Sequence, residues 1–141
     1  MIGRFFVKGS CPAVNSSVAL GSFVAVMLFG SLQAHAQVYW SKSSGDWSGA
    51  SNWIGNLVPT STATAYINNG GTAGITQLGE TCGTLSLGSS AGSGTVQMTG
   101  GSLYVAANEY VGNTGTGSFT QSGGTNSIFD YLSLSRLQHG R

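Results

Sequence analysis

Apolar residues in this chain come in pairs two positions apart, set between short corners rich in glycine and serine. Leu85 and Leu87, Val96 and Met98, and Leu103 and Val105 are such pairs. In a strand, residues at i and i+2 face one side. The turn Ser89-Ser90-Ala91-Gly92-Ser93 and the pair Gly100-Gly101 separate them and supply sharp corners. The pattern then recurs. Leu85-Ser86-Leu87-Gly88 is answered by Tyr110-Val111-Gly112, Gly94-Thr95-Val96 by Gly117-Ser118-Phe119, and Leu132-Ser133-Leu134 opens a third pass. The offset is 24 residues from Leu87 to Val111 and 23 from Gly94 to Gly117, the extra residue lying in the first turn. A period of this size marks a solenoid or a related array.

One such coil cannot stand alone. Ordering it costs roughly 1–2 kcal/mol per residue in backbone entropy, and each inward side chain returns only about 1.5–3 kcal/mol. Stacked coils share a core, each strand hydrogen-bonding to its equivalent about 4.8 Å above. The sequence therefore predicts an all-β, parallel β-solenoid over residues 61–134. The stretch 61–84 reads as a degenerate leading coil, with a strand in Thr62–Ile67 and a turn at Asn68-Asn69-Gly70-Gly71. Three positions break the apolar rows: Glu109 in the slot of Leu85, Gln121 in that of Met98, and Asn126 in that of Leu103. Either the later coil has a polar interior there, or the register shifts locally.

The flanks differ from the coils. Residues 37–60 hold Trp40, Trp47 and Trp53 and lie off the repeat, so they are expected to form an N-terminal cap over the open end. A competing expectation is a carbohydrate platform, with the three indoles stacking on sugar rings and Asp46 or Asn52 bonding hydroxyls. Residues 1–36 read as a secretory signal: Arg4 and Lys8, an apolar run from Val18, and Ala34-His35-Ala36 before a cleavage expected between Ala36 and Gln37. Residues 135–141 leave the pattern and suggest a truncated or frame-shifted piece of a longer repeat protein.

Composition narrows the chemistry. Charged residues make up 6% of the 141. From Gln37 onward Lys42, Arg136 and Arg141 stand against Asp46, Glu80, Glu109 and Asp130, a net of −1 and no basic patch for nucleic acid. Cys82, the one cysteine beyond the signal, is expected to be buried and inert. Glu109 and Asp130, 21 residues apart, are the pair to consider as glycosidase carboxylates; solvated corners are the plainer expectation. No catalytic residue, metal or cofactor is expected.

Three segments carry a resemblance. Gly45-Asp46-Trp47-Ser48-Gly49-Ala50-Ser51-Asn52-Trp53 with Val58-Pro59, then Leu85-Ser86-Leu87-Gly88, then Gly117-Ser118-Phe119-Thr120-Gln121-Ser122-Gly123-Gly124 resemble bacterial exported proteins with autotransporter-associated β-strand repeats, often of the PEP-CTERM type. The resemblance implies a right-handed parallel β-helix at the cell surface or in the extracellular matrix, with no enzymatic residues to carry over. The expected function is thus a non-catalytic structural or adhesive segment. Its expected partners are extracellular polysaccharide or the cell envelope, the membrane only through the uncleaved signal, and further copies joined end to end. The alternatives are a carbohydrate-binding module on the tryptophans, or the stub of a β-helix polysaccharide-active enzyme.

Overall fold

The computed structural model describes residues 35–135; all but the last two residues of the expected signal over 1–36, and all but the first residue of the off-pattern tail over 135–141, lie outside the described residues. The described chain is all β apart from one 3-10 turn at Ala50–Asn52. Its strands are β1 (Gln37–Tyr39), β2 (Ser44–Asp46), β3 (Thr64–Ile67), β4 (Asn69–Ile75), β5 (Glu80–Cys82) and β6 (Thr84–Leu87). They continue as β7 (Ser93–Met98), β8 (Ser102–Val105), β9 (Glu109–Val111), β10 (Thr116–Gln121), β11 (Thr125–Ile128) and β12 (Leu132–Leu134).

Every strand pairs in parallel with its equivalent one winding away. Three sheets result, in the orders β1-β3-β6-β9-β12, β2-β4-β7-β10 and β5-β8-β11. The windings are β1–β2, β3–β5, β6–β8 and β9–β11, with β12 opening the next. This is the parallel β-solenoid that the repeat predicts.

The register follows the predicted rows. Leu87 lies beside Val111 and Val111 beside Leu134; Gly94 pairs with Gly117 and Val96 with Phe119. Glu109, Gln121 and Asn126 do stand opposite Leu85, Met98 and Leu103, so the polar interruption is real and no local slip has occurred. The core runs through Ile67, Ile75, Leu85, Leu87, Val96, Met98, Leu103 and Val105, all at most 1% exposed. Cys82 is among them, buried and unpaired as expected.

Two boundaries differ from expectation. The tryptophan segment is part of the stack: β1 pairs with β3 and β2 with β4, so the cap is itself a first winding that enters two of the three sheets. The second winding is a full coil whose spacing is uneven. Ala65 pairs with Leu85, 20 residues on, whereas Ala73 pairs with Val96, 23 on. The longer corner before β7 takes the offset from 20 at Ile67–Leu87 to 24 at Asn69–Ser93, and the register shift between Asn69 and Thr72 returns one residue, leaving 23. The expected turn at Asn68–Gly71 is therefore a bulged strand start.

Gly71 shows why that site tolerates no side chain. A Cβ there would lie 2.6 Å from Trp40 Cδ1 and would also strike the Lys42 carbonyl oxygen. The bulge brings its backbone against the indole, which only glycine permits.

Candidate functional site

Both features proposed for the tryptophan segment can be located. Trp53 sits between the other two indoles, with ring centroids 4.9 Å from Trp40 at 84° and 4.9 Å from Trp47 at 75°. These are edge-to-face contacts, the arrangement that the ring quadrupole favours. Trp53 Nε1 donates to the Trp47 carbonyl at 2.8 Å. Exposure is 1%, 0% and 1% for Trp40, Trp47 and Trp53. Stacking on a sugar needs an open ring face, and these rings are spent on one another and on the core. The carbohydrate platform expected on Trp40, Trp47 and Trp53 is corrected accordingly: the three indoles are core of the first winding.

Its polar residues are likewise engaged inside the protein. Asn52 Nδ2 donates to the Asp46 carbonyl at 2.8 Å. Asp46 Oδ1 accepts from the Ser48 amide at 3.0 Å and the Ser48 hydroxyl at 2.6 Å, and Oδ2 accepts from Thr76 Oγ1 at 2.7 Å. Burial alone would raise the Asp46 pKa, but the bonds from Ser48 and Thr76 outweigh it and hold the carboxyl below its usual value. Glu80 shifts the other way, raised first by burial and then by the charge of Asp46. Asp46, Asn52 and the tryptophans are thus brought together, as a brace between the first and second windings.

Glu109 and Asp130 are not brought to a common cleft. Glu109 is 1% exposed, on the inward row, and accepts from Asn126 Nδ2 at 2.8 Å. Burial raises its pKa, against the opposing effect of that hydrogen bond. Asp130 lies on an exposed corner. The same burial, with the Glu109 charge nearby, pushes the Cys82 thiol far up and keeps it a thiol.

An open recess among the described residues lies elsewhere. A groove of about 320 Å³ runs along the corner that follows the first sheet. Tyr39 from the first winding and Tyr66 and Asn68 from the second form one part; Ser89 and Ser90 from the third and Asn113 and Thr114 from the fourth form the rest. The tyrosine rings are stacked, with centroids 4.9 Å apart and planes 13° from parallel. They point outward because they alternate with inward residues: Val38 and Trp40 flank Tyr39, and Ala65 and Ile67 flank Tyr66. Asn68 Nδ2 donates to Ser89 Oγ at 3.3 Å, and the Ser90 amide donates to Thr114 Oγ1 at 2.7 Å, so adjacent windings are tied across the groove.

Sequence reading missed this site. Each winding contributes only one or two residues, and no local motif contains them. The available signal was the period-2 alternation, which sets both tyrosines on the outer face, combined with the 24-residue offset that marks the Ser89–Ala91 turn as enlarged. Comparison with family models, with curated proteins and with solved structures returns no match.

Proposed function

We propose that this chain is an exported, non-catalytic β-solenoid serving as a structural or adhesive segment at a cell surface or in the extracellular matrix. The observation that carries the reading is the stack itself, in which outward rows repeat one chemistry from winding to winding. Thr72, Thr95 and Ser118 form such a row, and Thr81, Tyr104 and Ser127 another. Such rows suit contact with an equally repetitive polymer, because weak contacts on a rigid ladder add up. The likeness to proteins with autotransporter-associated β-strand repeats supports it. So does the leader-like composition ahead of Gln37, the residue at which β1 opens.

Fractionation of the producing cells tests it. The chain is expected in the surface or extracellular fraction, with a mature N-terminus at Gln37 or within about two residues of it, as small-x-small cleavage dictates. Retention in the cytoplasm with the leader intact would overturn export. Turnover of a polysaccharide by the purified chain would overturn the non-catalytic role.

A further inference from the structure

We propose that the groove edged by Tyr39 and Tyr66 is a binding site for a short, neutral oligosaccharide lying along the solenoid axis. The inference rests on the adhesive reading above and gives it a ligand class and a place.

Four observations point to that chemistry. First, apart from the two tyrosines, every side chain lining the groove is an amide or a hydroxyl: Asn68, Asn113, Ser89, Ser90 and Thr114. Such groups both donate and accept, matching sugar hydroxyls, which do the same. Second, no Lys, Arg, His, Asp or Glu lines it, so it offers no counter-charge to a uronate, phosphate or sulfate. Third, the stacked tyrosines give an aromatic wall with a polar rim, and Tyr supplies contact area at low entropic cost. Fourth, the lining residues come from all four windings, three strand spacings or about 14 Å end to end. That length suits several linked sugar rings better than one. A groove of about 320 Å³ is also within the lower range for small-ligand sites.

The backbone adds a separate indication. Ser90 and Ala91 both adopt positive φ, 53° and 61°, where glycine or asparagine would be the less strained choice. Ser90 lines the groove, and the pair sits in the turn that carries the extra residue of the 24-residue offset. Consecutive side chains held in this conformation are a local cost that binding sites often carry. A peptide ligand fits less well: beyond the two tyrosines the lining is amide and hydroxyl, with no apolar pocket for peptide side chains.

The test uses the purified full chain and titration calorimetry with neutral tetrasaccharides of differing linkage, such as β-1,4-glucan, xylan, α-glucan and mannan types, and an oligouronate for comparison. At least one neutral tetrasaccharide should bind saturably, and the oligouronate about tenfold more weakly or not at all, for want of a counter-charge. Asn113→Ala, at an exposed corner, should weaken binding about tenfold, as expected for one lost hydrogen bond, with the circular dichroism unchanged. Tyr66→Ala should abolish it. Binding to insoluble polysaccharide that survives both substitutions, with no tetrasaccharide bound, would overturn the groove while leaving the adhesive reading in place. Absence of binding to any of these probes would overturn both.

Discussion

The third and fourth windings share one backbone register and differ in what fills them. Leu85, Met98 and Leu103 line the third; Glu109, Gln121 and Asn126 hold the same rows in the fourth. The third has a neighbour on each side in all three sheets. Among the described residues, the fourth is followed only by β12, in the first sheet. Polar side chains are tolerated where water can reach them, and Gln121 is indeed exposed. Glu109 is the exception. It stays buried beside β12 and is satisfied by Asn126. Strand pairing thus sets the register whether or not the interior is apolar, while side-chain burial decides how stable each winding is.

The most severe way to break the contrast is to give the third winding the residue of the fourth. Leu85→Glu would place a second carboxyl at a position that is 0% exposed, beside Glu109 in the next winding, at a cost above about 4 kcal/mol. Against a total stability of roughly 5–15 kcal/mol, the variant is expected to lose its cooperative thermal transition by circular dichroism. A melting curve like that of the parent would mean the two interiors are equivalent after all.

Trp53→Ala comes next. It removes the central ring of the cap, a change worth about 3–5 kcal/mol for a buried aromatic. It also deprives the Trp47 carbonyl of its indole donor. At about 4–8 °C per kcal/mol, the midpoint should fall by about 12 °C or more. A shift of about 3 °C would instead indicate a cap that merely sits on the coils.

How much of this was legible follows the same contrast. The rows through Leu87, Val111 and Leu134 were readable because the glycine corners repeat with them and fix the phase. The second winding was harder. Its rows hold Ala65 and Ala73 where the third winding holds Leu85 and Val96, and its spacing in the first sheet is 20 residues rather than 24. The small residues share a core cluster with the three bulky indoles, so volume is balanced between windings rather than within one. That balance cannot be seen from either segment alone. The groove was invisible for a related reason: its residues become neighbours only once four windings are stacked.

Glu109→Gln tests the fourth winding in the opposite direction. The folded chain holds the Glu109 pKa above its ordinary value, so folding favours the protonated form. That contribution is complete below the ordinary glutamate range and is lost as pH rises through the raised value. Glutamine keeps an acceptor for Asn126 and has no charge to bury. Denaturant unfolding at pH 7.5 should show a gain of about 1 kcal/mol, vanishing near pH 4. An equal gain at both pH values would locate the effect in packing, not charge.

The smallest expected effect lies at the other end of the stack, in the brace between the first two windings. Asp46 is held below its usual pKa by bonds from Ser48 and Thr76, so its contribution is present above the ordinary aspartate range and is lost as pH falls through the lowered value. This is the reverse of Glu109. Asp46→Asn should cost less than about 1 kcal/mol at neutral pH, since the group is only partly buried and water screens it. Removing the Asp46 charge also relieves Glu80, whose pKa that charge helps to raise, which trims the loss further. Followed by urea unfolding, the difference between parent and variant should shrink toward zero as the pH drops below the aspartate range. With the two ends titrating in opposite senses, the parent should be most stable at mildly acidic pH, above the Asp46 transition and below that of Glu109. Glu109→Gln should reduce the decline on the alkaline side of that optimum, leaving the share that Glu80 supplies through its own raised pKa, and Asp46→Asn should remove the decline on the acid side while slightly easing the alkaline one.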